Sequence, residues 1–128
     1  MSVLQNNSLF QQNAFIDGNW IEAQDQHRIE VTNPANEELI GSIPNMGQAE
    51  AIQAVESSHQ ALQSWRALTA QARADLLLAW HKLTLEYADE LAQIMTIEQG
   101  KPLAEALGEV KYAASFIQWF AEEGKRIY

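Results

Sequence analysis

No cysteine occurs anywhere in the 128 residues. Disulfides, thiolate metal ligands and a thiol nucleophile are therefore excluded within this sequence. The absence fits a reducing compartment, and a cytoplasmic location is the expectation. Basic residues are few, eight Lys and Arg against 17 Asp and Glu, for a formal charge of −9. A chain so short of cations has no basic stripe to release counterions from phosphates, which argues against nucleic acid as a partner and disfavours an anionic membrane surface. No apolar run approaches the ~18 residues of a membrane span. The first eight residues, M-S-V-L-Q-N-N-S, have neither the basic stretch nor the apolar centre of a signal peptide.

The usual chemical signatures are missing too. Neither G-x-x-x-x-G-K-[ST] nor G-x-G-x-x-G occurs, so no phosphate cradle is expected. The nucleophile motif G-x-S-x-G is absent. His27, His59 and His81 have no second histidine at ligand spacing, so no metal–histidine site is expected; His59 reads as a packed or half-exposed helical residue, and the other two as solvated. Glu122-Glu123 and Asp89-Glu90 are neighbours in sequence, and neighbours on a helix point about 100° apart. They read as solvated acids, not as a catalytic pair. No catalytic and no cofactor-binding residue is assigned.

What is present is a globular pattern. Apolar residues make up 47% of the chain, too many for a disordered one. Residues 1–13 read as a polar tail, with Leu9 and Phe10 as a tether, and residues 14–128 as a single folded body. Asp17-Gly18-Asn19 inside Phe15–Ile21 is a hairpin turn signature. His27–Thr32 alternates polar and apolar as a half-buried strand does, and Leu39–Pro44 is a further extended piece. The period then becomes helical. Asn45 is the expected cap of the first helix, with Gln48 as its reciprocal partner. Ile52, Val55, His59 and Leu62 share one face of it. Thr69 is the expected cap of the next, whose stripe is Leu76, Trp80, Leu83 and Tyr87. Gly100 suits a helix end and Pro102 the start of the last helix. The fold class is therefore mostly α with a small N-terminal β-hairpin, an α+β arrangement of hairpin and about four helices.

The last helix is apolar on two faces. Leu103, Leu107, Val110, Ala114, Ile117 and Ala121 make one, and Tyr112, Phe116, Trp119 and Phe120 the other. A helix like that normally lies inside a larger protein. The aromatic patch reads either as core packing or as the wall of an apolar pocket. The chain is expected to be the front part of a longer enzyme.

Its ordered blocks resemble a known family. F-I-D-G-N-W, V-T-N-P-A-N, W-R-A-L-T-A-Q-A-R-A, I-M-T-I-E-Q-G-K-P-L-A-E-A and S-F-I-Q-W-F-A-E-E-G-K-R-I-Y are similar to the N-terminal segment of the aldehyde dehydrogenase superfamily, and most resemble its succinate-semialdehyde dehydrogenase branch. The resemblance implies the N-terminal part of an α/β fold whose Rossmann core lies outside this sequence. It implies NAD(P)-dependent oxidation of an aldehyde to an acid, in which a cysteine thiolate attacks the aldehyde, a hydride passes to nicotinamide, and a glutamate activates the hydrolytic water. NAD or NADP is the cofactor of the full-length family, and none is expected for this piece, which is expected to be inactive alone. By position, Phe120 matches an aromatic that lines the substrate tunnel, with Phe116 and Trp119 as neighbours of the same kind. Val31 or Thr32, with Glu98, match positions that hold a monovalent cation in some members. The expected partners are the remainder of the enzyme or full-length subunits. The competing reading is a free-standing helical interaction module that docks on such subunits or self-associates.

Overall fold

A computed structural model of the chain describes residues 8–126. Residues 1–7 of the expected tail, and Ile127 and Tyr128 of the last motif, lie outside the described residues. Four strands come first: β1 (Ala14–Ile16), β2 (Asn19–Ile21), β3 (Arg28–Thr32) and β4 (Leu39–Pro44). Four helices follow: α1 (Gln48–Ala67), α2 (Ala70–Glu86), α3 (Ala88–Gln99) and α4 (Leu103–Glu123). The mostly helical class with a small β portion is as expected, but the strands form two antiparallel pairs, β1–β2 and β3–β4, where one hairpin was foreseen. The chain falls into two compact units that divide between Ser64 and Trp65.

In the first unit, Asp17 and Gly18 both take positive φ, 53° and 74°, which gives the tight turn a twist that suits the flanking strands. Phe15 and Trp20 are direct cross-strand partners, and their rings sit 5.0 Å apart. The β3–β4 ladder runs from Arg28↔Pro44 to Thr32↔Leu39, with an irregularity between Val31 and Thr32. The turn between these strands is tied by Asn33, whose Oδ1 accepts from the Ala35 N–H at 2.9 Å and whose carbonyl accepts from the Glu37 N–H at 2.8 Å.

The start of α1 differs from expectation. Helical geometry begins at Gln48, so Gly47 holds the cap position and Glu50, not Gln48, is the residue that reaches back. One Glu50 oxygen accepts from the Gly47 N–H at 3.0 Å, and the other from the Gln24 N–H at 3.0 Å. Glu50 is only 5% exposed. The Gln24 N–H holds its carboxyl below the usual carboxylate range, helped by its own backbone N–H and that of Gly47 and opposed by burial. Because the folded pKa is depressed, the stabilisation is fully present above the unfolded value and is lost as pH falls through the folded one. Thermal melts should therefore show Glu50→Gln less stable than the parent at pH 7, with the gap narrowing once pH drops below 4.5. A gap independent of pH would contradict the bonding.

The second unit is capped as expected. Thr69 Oγ1 accepts from the Ala72 N–H at 3.1 Å at the start of α2. Gly100 closes α3 in the left-handed region, φ 76°, with its N–H on the Thr96 carbonyl at 2.8 Å. Pro102 sits just before α4, where its missing N–H leaves no bond unmade, and its carbonyl accepts from Glu105 and Ala106.

The core of this unit is built from small side chains. Ala88 and Ala92 of α3 meet Ala106 and Val110 of α4, with Leu91, Met95 and Leu107 packed around them. Ala114 and Ala121 of α4 and Ala74 of α2 are also buried. Both α2 and α3 pack against α4. The apolar stripe of α2, Leu76, Trp80 and Leu83, with Tyr87 just after it, is exposed. In the first unit, Ile52, Val55 and Leu62 of α1 are exposed in the same way. The periods were those of helices; the buried faces are the ones that let backbones approach.

Candidate functional site

The aromatic face of α4 is organised by helical spacing. Tyr112 and Phe116, four residues apart, meet edge to face with ring centroids 4.8 Å apart and an interplanar angle of 80°. Phe116, Trp119 and Phe120 follow at three and four residues and line one open groove of about 620 Å³. They are 46%, 61% and 62% exposed, so they are not core residues of this chain. Ser115, Gln118, Glu122, Glu123 and Arg126 form the polar edge of the groove. Glu122 pairs with Lys125 at 2.7 Å and Glu123 with Arg126 at 3.3 Å, both at i,i+3. The charges beside the aromatics are thus balanced within one helical end, leaving an apolar surface with a neutral border.

A second hollow of about 840 Å³ lies against α3 and α4. Leu91, Ile94, Met95 and Val110 supply its apolar lining, and Glu98, Gln99 and Glu109 a polar end. Phe116 borders both hollows. Lys101 of the α3–α4 corner pairs with Glu109. Thr96 Oγ1 is buried with no hydrogen-bond partner.

Sequence reasoning missed the residue that holds this helix in place. His81 of α2 is half-buried, not solvated, and its Nδ1 lies 2.8 Å from the Ala114 carbonyl in the middle of α4. A carbonyl only accepts, so Nδ1–H donates. The only sequence hint was position: His81 follows Trp80 directly, so it points away from that exposed residue.

The three tunnel candidates are thus brought together on one groove. Val31 and Thr32 flank the ladder irregularity of β3 in the first unit, and Glu98 stands in the last turn of α3 in the second. No group of three or more His, Asp or Glu placed to hold a metal ion exists among the described residues. No helix among them is long and apolar enough to cross a membrane.

A nicotinamide dinucleotide is usually held where a strand turns into a helix N-terminus and free N–H groups meet the pyrophosphate. Here the only strand-to-helix passage among the described residues is from β4 to α1. Its Gly47 N–H already serves the Glu50 carboxylate, which places a negative charge where a phosphate would sit. That passage therefore offers no open phosphate cradle.

Comparison with known proteins places these observations in context. The model of the "Aldehyde dehydrogenase family" matches residues 20–128. A succinate-semialdehyde dehydrogenase [NADP(+)] of Escherichia coli (strain K12) is 55% identical over 125 residues, which is 98% of this chain and 26% of that protein. A glutarate-semialdehyde dehydrogenase of Pseudomonas aeruginosa is likewise 55% identical over 125 residues, with the same coverage. The crystal structure of succinate-semialdehyde dehydrogenase from Burkholderia pseudomallei superposes with a TM-score of 0.94 at 47% identity, covering 99% of this chain and 26% of that one. The chain thus spans about a quarter of the length of the relatives it matches.

Proposed function

Because this chain belongs to the aldehyde dehydrogenase family, we propose that it is the scaffold-bearing N-terminal portion of an enzyme that oxidises succinate semialdehyde, or the closely related glutarate semialdehyde, to the dicarboxylic acid with NAD or NADP. The observation that carries this reading is the α4 groove, in which Phe116, Trp119 and Phe120 offer an apolar wall to the methylene chain of such a substrate. The reaction needs a thiolate and a bound nicotinamide. This sequence has no cysteine, so the thiolate comes from polypeptide outside it. Inactivity alone is the corollary. The natural partner of the exposed faces is that remaining polypeptide, supplied by the same enzyme or by full-length subunits. The exposed aromatics of α4 and the Leu76, Trp80 and Leu83 row of α2 support this, since surfaces of that kind rarely stay uncovered.

The test has two arms. The purified 128-residue chain, given succinate semialdehyde and either nicotinamide, should form no reduced cofactor. A chimera joining it to the remaining three quarters of the E. coli relative should form it readily. In the chimera Phe120→Ala should raise KM for succinate semialdehyde roughly tenfold, with a smaller change in kcat, because the lost contact is with a part of the substrate remote from the reacting carbon. Turnover by the chain alone, or an unchanged KM in the variant, would overturn the proposal.

A further inference from the structure

We propose that Asp17 and Gly18 form a self-modifying site, at which the Asp17 carboxyl closes on the Gly18 nitrogen and the peptide link reopens through the side chain as isoaspartate. Such a step needs an aspartyl carboxyl beside a backbone nitrogen, little bulk on the following residue, and a backbone free to turn. Asp17 is the one aspartate in the sequence followed by glycine; Asp25, Asp75 and Asp89 precede Gln26, Leu76 and Glu90. Both turn residues are exposed. A Cβ built on Gly18 would meet no atom within 4 Å beyond its chain neighbours, so the reacting atoms have open space around them.

The fold favours the step. Among the described residues, the only bond on the Asp17 carboxyl comes from Ser57 Oγ of α1, at 3.3 Å, long for a hydroxyl donor. So loose a tether leaves the carboxyl able to swing onto the nitrogen. Asp17 stands at φ 53°, in the left-handed region that a residue with a Cβ holds at a cost, and turning out of it to close the ring relieves that cost. The strands of this hairpin are three residues each, short enough for the turn to open locally. Asn19 adds an electronic push. Its Nδ2 donates to the Asp17 backbone carbonyl at 2.8 Å. That carbonyl is conjugated with the Gly18 nitrogen, so negative charge spreads onto its oxygen as the nitrogen sheds its proton. A donor already aimed at this oxygen stabilises the charge as it develops.

The atoms balance with water alone. The Gly18 nitrogen bonds to Asp17 Cγ and gives up its proton. The Cγ–hydroxyl bond of the protonated carboxyl breaks, and one water leaves a succinimide ring. Water then re-enters. Opening the ring at Cγ restores aspartate. Opening it at the Asp17 backbone carbonyl leaves Gly18 linked through Cγ, with the former backbone carbonyl now a free carboxylate. Mass and charge are unchanged from start to finish. The product carries one more atom in the main chain, which the tight turn between Ile16 and its partner Asn19 cannot absorb without shifting the Phe15–Trp20 pair.

The test is storage of the 128-residue chain in warm neutral buffer, with isoaspartate labelled over time by an isoaspartyl methyltransferase and located by peptide mapping. Label should build up at Asp17 and not at Asp25, Asp75 or Asp89. Asn19→Ala should slow the build-up at Asp17 roughly threefold to tenfold in the folded chain, the worth of one hydrogen bond to a developing charge. In concentrated urea, where the Asn19 contact is gone, the same variant should match the parent. No label at Asp17, equal label at the other aspartates, a folded Asn19→Ala chain as fast as the parent or faster, or an equal slowing in urea would each overturn the proposal.

Discussion

Ala106→Leu is expected to lower the melting temperature of the second unit by roughly 5–20 °C, read by circular dichroism. Ala106 is completely enclosed, as is Ala92 opposite it on α3. Leucine adds three carbons where no space exists, and overpacking of that kind costs about 1–3 kcal/mol even when neighbours can shift. In a unit of about 60 residues each kcal/mol moves the midpoint by roughly 4–8 °C. Ala92→Leu should behave alike. Ala104→Leu, two residues away on the exposed side of α4, is the control and should stay within about 0.5 kcal/mol of the parent. If all three variants melt together, the α3–α4 contact is not the core of this unit.

Trp80→Ala should have the opposite profile. In the chain by itself the indole is 59% exposed, so its removal should leave helicity and melting almost unchanged. In a two-piece assembly of this chain with the remaining part of a relative, the same change should weaken docking by roughly thirtyfold or more. A buried tryptophan at an interface is commonly worth at least about 2 kcal/mol. The measurement is the concentration of this chain that restores half-maximal aldehyde oxidation. A half-maximal concentration equal to the parent's would show that this α2 face is not covered by the rest of the enzyme. A large loss of stability in the isolated chain would show that Trp80 holds the chain's own fold.

These two results bear on what could be read before the structure. The start of α2 and the end of α3 were legible because their chemistry is local: Thr69 needs only the Ala72 N–H, and Gly100 only its own left-handed backbone. Helical periods were legible for the same reason. Which stripe faces inward was not. Hydrophobicity ranks Leu76, Trp80 and Leu83 above Ala74, yet the packing of α2 and α3 on α4 buries the alanines, because a methyl group lets two backbones come close. The bonds from Gln12 to Ser42, Gln24 to Glu50 and His81 to Ala114 span 30, 26 and 33 residues, and nothing in a local window announces them. The α4 groove was legible because Phe116, Trp119 and Phe120 are neighbours on a single helix.

A seam of methyl groups has one mechanical consequence. Apart from Val110, with Leu91, Met95 and Leu107 around it, the seam is smooth, so axial registration rests on few points. The imidazole of His81 on the Ala114 carbonyl is one such rivet, and the Lys101–Glu109 pair at the α3–α4 corner is the other. They help to set how far along its rail α4 sits, and hence where its rings are delivered.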